Sequence, residues 1–198
     1  MRIANSHRLS FRLLPLALLV LAACGGKPGG DTPARYGIGR AATPQEIAAI
    51  DLDVGPDGAG LPAGKGSVSD GATIYATKCA QCHGPKGEGM PPAYPAIVGR
   101  DSAGEKFGFA KDAKIAKTIG NYWSNATTLF DYIRRAMPHT APGSLTNDEV
   151  YALTAHLLSA NGLLPATAVL DSASLMQVKM PAAGHFVPDD RRGGGTVR

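Results

Sequence analysis

The chain has 198 residues, enough for one domain of about 100–150 residues with extensions at its ends. Its 25 glycines and 15 prolines indicate a small helical core with much loop around it. The formal net charge is +4, but Arg2, Arg8 and Arg12 lie in a segment that is expected to be removed, which leaves 17 basic against 16 acidic residues. A nearly neutral mature protein is a poor candidate for binding nucleic acid through phosphate neutralisation.

The first segment, residues 1–23, predicts a secretory signal, because three arginines precede the apolar run at residues 13–23. That run is shorter than the stretch of about 20 apolar residues that a spanning helix needs. The letters "LAAC" at residues 21–24 resemble a bacterial lipobox, which implies cleavage before Cys24 and the attachment of diacylglycerol, usually with an N-acyl chain, to that cysteine. Residues 24–37 then form a predicted flexible tether, and the mature protein would be lipid-anchored to a membrane in the bacterial periplasm. An ordinary signal peptide with a free cysteine is the alternative.

The cluster Cys79, Cys82 and His83 lies in "YATKCAQCHGPKGEG", residues 75–89. A zinc site would need four ligands, usually with a second cysteine pair, and no second pair exists. A thioredoxin-like redox pair would follow a strand, whereas the residues before Cys79 predict a helix capped by Ser69 or Asp70. C-x-x-C-H is the motif in which two thiols add to the haem vinyl groups and the histidine binds iron. The pattern therefore favours one covalent haem c, with His83 as an axial ligand.

A helix, a loop and a second helix are predicted from residue 127 to residue 162. The first helix ends before Pro138, which cannot continue it. The second begins at a capping box of Thr146 and Glu149 and stops at the pair Asn161–Gly162. One apolar face is predicted on the second helix, formed by Val150, Leu153, Leu157 and Ala160.

Met137 precedes a proline between these helices, 54 residues after His83. This arrangement resembles that of class I cytochromes c, in which the axial methionine precedes a proline before a capped C-terminal helix, and the resemblance implies that Met137 is the second axial ligand. A core methionine is the simpler reading of the same residue. Two strong axial ligands would disfavour substrate binding at iron, so the expected function of the site is one-electron transfer. An open sixth position would instead suit a haem enzyme or a gas sensor. Met180 is the runner-up ligand and His139 a further alternative, whereas Met90 lies too close to His83 to reach the opposite haem face easily.

The chain resembles the class I cytochrome c family in three features: its C-x-x-C-H motif, the stretch "PAIVG" at residues 95–99, and Met-Pro before a capped C-terminal helix. The resemblance implies an all-α fold, in which residues 70–164 form a small helical domain around one covalent haem c. Residues 38–69 and 165–198 would be mostly irregular N- and C-terminal extensions, which we expect to wrap the haem domain or a partner.

The same resemblance suggests roles for further residues. The carbonyl of Pro95 would accept a hydrogen bond from Nδ1 of His83 and so fix the imidazole. Arg100 lies where relatives often place a propionate partner, although a solvated loop arginine is an equal reading. Tyr122 and Trp123 would pack on the haem or bond a propionate, with plain core packing as the alternative.

Three longer stretches, residues 38–68, 118–164 and 177–191, resemble the cytochrome c subunits of periplasmic molybdenum sulfane and sulfite dehydrogenases, SoxD-like proteins. The resemblance implies a subunit that accepts single electrons from a molybdopterin sulfur dehydrogenase and passes them to a soluble cytochrome c and the respiratory chain. No catalytic centre is expected in this chain itself. The lipobox is a departure, since many such subunits are soluble, and a free-standing lipoprotein shuttle to a terminal oxidase is the alternative.

One basic stretch, formed by Lys106, Lys111, Lys114 and Lys117, adds a possible contact with a partner. Most such runs are solvated faces. Docking to an acidic partner is the minority interpretation.

Overall fold

The computed structural model describes residues 37–100, 108, 112 and 114–187. The predicted signal peptide, Cys24, most of the tether, Lys106 and Lys111 lie outside the described residues. The chain divides into two units, residues 1–43 and 44–198, and the second contains every helix and strand named below. Within the described residues, no helix is both long enough and apolar enough to cross a membrane.

Short helices dominate the second unit, which confirms the predicted mostly helical fold. In chain order the elements are α1 Pro44–Ile50, β1 Lys65–Ser67, α2 Val68–Lys78, α3 Ala80–His83, α4 Ala126–Ala136, α5 Asn147–Ala160, β2 Val169–Asp171, α6 Ser172–Leu175 and a 3₁₀ turn, Ala183–His185. The two strands pair antiparallel, with Gly66 opposite Leu170. These strands lie in segments that the sequence predicted to be irregular.

Helices α2 and α5 cross with their backbones in close contact. A Cβ atom placed on Gly71 of α2 would lie 1.9 Å from the carbonyl oxygen of Ala152 on α5, so only glycine allows the two backbones to approach this far. Phe130 of α4 packs its ring 4.5 Å from the ring of Tyr151 on α5, measured between centroids. The core therefore lies around α5, with α2 and α4 on its sides.

The predicted ends of α5 are confirmed. The Thr146 hydroxyl accepts a hydrogen bond from the Glu149 backbone N–H at 3.3 Å, and the Glu149 carboxylate accepts one from the Thr146 backbone N–H at 2.9 Å. Asn161 caps the C-terminus, and Gly162 follows with φ of 68°. The predicted single apolar face is wrong in two respects: Ala160 is exposed, and buried residues surround most of the helix.

The start of α2 also differs from the prediction. Its N-cap is Ser67, whose hydroxyl accepts from the Asp70 backbone N–H at 3.1 Å, rather than Ser69 or Asp70. The reason is tertiary: β1 runs directly into α2, and Val68 is buried while its N–H donates to the carbonyl of Ala168 at 3.0 Å. The helix therefore begins two or three residues earlier than its own sequence indicates.

Residues 51–67 and 165–182 pack against the helices and together form what we call the wrap. The backbone N–H of Val54 donates to the Asp131 carboxylate on α4 at 2.8 Å. The Tyr151 hydroxyl on α5 donates to the carbonyl of Pro62, also at 2.8 Å. From the C-terminal part, three large apolar side chains are buried in the common core: Leu170, Leu175 and Met180. The wrap explains why α5 is buried on several sides.

Candidate functional site

The attachment turn, residues 79–84, follows α2 without a break. Cys79 ends α2, and its carbonyl accepts the backbone N–H groups of Cys82 and His83 at 3.1 and 3.0 Å. Both thiols are free and half-buried, and Cys79 packs against the hydrophobic core. One helical turn therefore brings the three residues of the motif together, as the spacing predicted.

Burial sets the protonation of this turn. It raises the pKa of the Cys79 thiol to about 11, against a smaller lowering effect of Lys78 and with a further rise from Cys82. It also lowers the pKa of His83, which favours the neutral imidazole, the form that binds metals. Nδ1 of His83 is buried, and among the described residues it has no hydrogen-bond partner.

These features fit a covalently attached haem. An unpartnered buried nitrogen destabilises a protein by about 1–3 kcal/mol, so such atoms tend to occur where function requires them. Two free thiols on the same turn supply the two attachment points. By contrast, no group of three or more His, Cys, Asp or Glu side chains within the described residues is placed to bind a metal ion, as a zinc site would require.

The segment after the turn folds back onto it. The backbone N–H groups of Ile97 and Val98 donate to the carbonyl of Gly87 at 2.9 and 3.0 Å, and Gly89 N–H donates to the carbonyl of His83 at 2.8 Å. The predicted bond from Nδ1 of His83 to the Pro95 carbonyl is not formed in this structure.

The backbone around Pro95 has a different neighbour. Tyr94 pairs with Met90 in an isolated bridge, and the peptide units of residues 94–96 pack closely over Gly89. Pro95 itself is exposed. The bond to its carbonyl stays a prediction for the haem-loaded protein.

Two tyrosines near the motif were not identified from the sequence. Tyr94 places its ring 6.4 Å from the His83 ring, and a hydrogen bond with Cys82 raises the pKa of Tyr94. Tyr75 is buried and donates its hydroxyl to the carbonyl of Gly84 at 2.9 Å. Burial, above all, raises the pKa of Tyr75 to about 12. A signal for Tyr75 existed, since it lies four residues before Cys79 and so on the same face of a helix.

Arg100 lies where the chain meets the C-terminal end of α5. Its guanidinium is exposed and donates to the carbonyl of Gly162 at 3.3 Å. The neighbouring Gly99 N–H donates to the side-chain oxygen of Asn161 at 2.9 Å. A cation is favourable beside the last carbonyls of a helix, so Arg100 has a structural role in addition to the predicted contact with a propionate.

The aromatic pair Tyr122–Trp123 separates into two environments. The only donor of the Trp123 ring, its indole N–H, is used by the hydroxyl of Thr128 at 3.1 Å, and the indole packs against the core. The Tyr122 ring meets Phe186 edge-on at 5.6 Å, and Nζ of Lys117 lies 4.9 Å from its centroid. Trp123 therefore packs in the core in this structure. Contact of Tyr122 or Trp123 with a haem propionate remains a prediction.

Met137 caps the C-terminus of α4, where its N–H donates to the carbonyl of Ile133 at 3.2 Å. Its extended backbone agrees with the restriction that the following proline imposes. The three alternative ligands lie elsewhere: Met180 is buried in the core of the wrap, whereas Met90 and His139 are exposed. Met137 is half-buried, and its binding to iron stays a prediction.

The chain is similar to known proteins in both sequence and structure. The family model for cytochrome c matches residues 68–161, which run from the start of α2 to the end of α5. A search of curated proteins found no match. The chain is similar to a solved structure, the sulfane dehydrogenase SoxCD from Paracoccus pantotrophus, with 41% identity over 79% of this chain and 74% of that chain, and a TM-score of 0.69.

Proposed function

The chain belongs to the cytochrome c family, and from that premise we propose that it is the haem subunit that carries single electrons away from a molybdenum sulfur-compound dehydrogenase. As a cytochrome c, it binds haem c covalently and transfers electrons. The observation that carries the proposal is the attachment turn, where two thiols and an unpartnered buried imidazole share one helical turn. When bound, haem c supplies a one-electron couple between ferric and ferrous iron.

Different residues of the chain attach the haem, bind its iron and contact its propionates. Cys79 and Cys82 anchor it through thioether bonds, and the packing of Cys79 in the core fixes the anchor to α2. His83 and Met137 are the proposed axial ligands. With both axial positions filled by strong ligands, the site favours electron transfer over substrate chemistry. Pro95 would orient His83, while Arg100 and Tyr122 would contact the propionates.

The proposed partner rests on how much of the chain is similar to the SoxCD structure. The similarity covers 79% of the chain, a larger share than the family match at residues 68–161, and therefore includes part of the extensions. We infer that the donor is a molybdopterin subunit that oxidises a sulfane or sulfite compound, and that the acceptor is a soluble cytochrome c. The location would be the periplasm, with a lipid anchor on Cys24.

The ferric spectrum of Met137→Ala tests the electron-carrier assignment. The wild type should show a sulfur-to-iron charge-transfer band that this variant loses and the control Met180→Ala keeps. A high-spin ferric wild type, or one that binds carbon monoxide rapidly, would instead favour a haem enzyme or gas sensor.

Purification of the tagged full-length chain from its native membrane tests the partner. A molybdenum protein should be recovered with it in a fixed ratio. Recovery of the chain without molybdenum would favour a free-standing shuttle. Labelling with a fatty acid, lost in Cys24→Ser, tests the anchor separately.

A further inference from the structure

The Tyr75 hydroxyl bridges the whole attachment turn. Tyr75 is only 3% exposed, and its hydroxyl donates to the carbonyl of Gly84 at 2.9 Å. The bond therefore joins the residue four positions before Cys79 to the residue directly after His83. We propose that Tyr75 is a positioning residue, which fixes the orientation of His83 toward the haem iron by holding the Gly84 peptide.

Both ends of the Gly84 residue are fixed. Its N–H donates to the carbonyl of Ala80 at 2.9 Å and so caps α3, and its carbonyl accepts from the Tyr75 hydroxyl on α2 and from the Gly87 N–H at 3.2 Å. The backbone here has φ of 75°, in the left-handed region that favours glycine. A Cβ atom at this position would also lie 2.5 Å from the Glu88 carboxylate. The backbone that follows the His83 imidazole therefore has little freedom while the Tyr75 bond is intact.

The Tyr75 ring is itself held from α5. The His156 ring packs against it with centroids 5.1 Å apart. His156 is half-buried beside α2, as a packed histidine. The crossing of α2 and α5 thus positions the Tyr75 hydroxyl, and through its hydrogen bond the hydroxyl holds the Gly84 carbonyl in place.

The bond also affects the charge beside His83. A buried carbonyl oxygen that loses a donor presents more of its partial negative charge to its surroundings. Removing the hydroxyl would leave the Gly84 carbonyl with the Gly87 N–H, at 3.2 Å, as its remaining donor in the described residues, and so with more unscreened negative charge next to the proposed iron ligand. Partial negative charge stabilises ferric relative to ferrous iron, so the reduction potential should fall. This step rests on the axial role proposed for His83.

The chain provides a matched control in Tyr151. This tyrosine is 0% exposed, and its hydroxyl donates to the carbonyl of Pro62 at 2.8 Å, but Pro62 belongs to the wrap. In the haem-loaded full chain, Tyr75→Phe and Tyr151→Phe should each lower the folding equilibrium constant by about fivefold. Only Tyr75→Phe should raise the ferric-to-ferrous ratio at a fixed solution potential, by about threefold, and shift the paramagnetic NMR signals of the His83 ring.

Equal potentials and unchanged His83 signals in the two variants would overturn the proposal while leaving the electron-carrier function intact. A wild type whose spectra exclude histidine ligation by His83 would overturn both. If Tyr75→Phe does not fold, 3-fluorotyrosine at position 75 keeps the shape and strengthens the donor. It should lower the ferric-to-ferrous ratio, with no change from the same replacement at position 151; no response at position 75 would contradict the proposal.

Discussion

The polar groups of the attachment turn and those of the wrap are satisfied to different degrees. In the wrap, Asp131 accepts the N–H of Val54, and Tyr151 donates to the carbonyl of Pro62. Thr127 likewise donates to the carbonyl of Pro56, at 3.1 Å. In the attachment turn, Nδ1 of His83 is buried without a partner among the described residues.

This difference indicates that the wrap contributes mainly to stability and the attachment turn mainly to function. The polar contacts of the wrap are completed by the protein itself, so its role is to close the core around α5. In the turn, Nδ1 of His83 lacks the partner that is predicted only for the haem-loaded protein, and a local departure from full hydrogen bonding is expected at a site that binds a cofactor. Substitutions in the wrap should therefore change the free energy of unfolding and leave the reduction potential unchanged.

The largest effect is expected from Leu175→Ala in the wrap. Leu175 is 0% exposed, and removing its buried methyl groups should lower the free energy of unfolding by about 3 kcal/mol. Val169→Ala is the control: its side chain is 54% exposed, and its loss should change stability by no more than about 0.5 kcal/mol. Urea unfolding measures both, and voltammetry should give the same potential for each as for the wild type. If Leu175→Ala shifted the reduction potential as much as Tyr75→Phe does, the claim that the wrap affects stability but not the reduction potential would be wrong.

A smaller effect is expected from Asp131→Asn, which weakens the polar anchor of the wrap. Burial tends to raise the pKa of Asp131, but hydrogen bonds from Arg135 and from the Val54 N–H outweigh it and the net pKa is lowered. A lowered pKa means that the carboxylate stabilises the fold above the unfolded-state pKa of about 3.9 and stops doing so as the pH falls through the folded-state pKa. The substitution should destabilise the protein by about 2 kcal/mol at neutral pH.

Acid titration of stability checks this assignment. The difference between wild type and Asp131→Asn should narrow as the pH falls below about 4. Asp57→Asn is the control, because its carboxylate lies in an exposed turn and accepts from the Ala59 N–H at 3.1 Å. A constant difference across the acid range would mean that shape, rather than charge, explains the role of Asp131.

The same contrast explains what could be predicted from the sequence. The C-x-x-C-H motif, the Thr146–Glu149 capping box and the stop at Gly162 are local signals, and each was found because its partners lie within a few residues. The pairing of β1 with β2 joins segments about a hundred residues apart, each only three residues long, with no alternating pattern to reveal them.

Tertiary contacts account for the remaining differences. Ser67 caps α2 because β1 holds it there, so the cap could not be chosen among nearby serines from the sequence alone. Tyr94 reaches the motif only because its loop folds back in the bridge with Met90. The buried sides of α5 follow from a wrap whose contacts depend on distant residues.

The smallest effect is expected from Lys78→Met, at the end of α2 beside the attachment turn. Lys78 precedes Cys79 but points toward α5, where its ammonium lies 2.6 Å from the Glu149 carboxylate, and the two side chains are 38% and 26% exposed. An ion pair this exposed should contribute about 0.5 kcal/mol, and high salt should remove that contribution. Glu149→Gln should lose more, because the hydrogen bond from Lys78 and then that from the Thr146 N–H lower the pKa of Glu149, and both favour its charged form. Urea unfolding at low and high salt separates the two contributions. If both variants were destabilised equally relative to wild type and high salt abolished both differences, the ion pair alone would account for Glu149. The capping box would then add nothing to the crossing of α2 and α5.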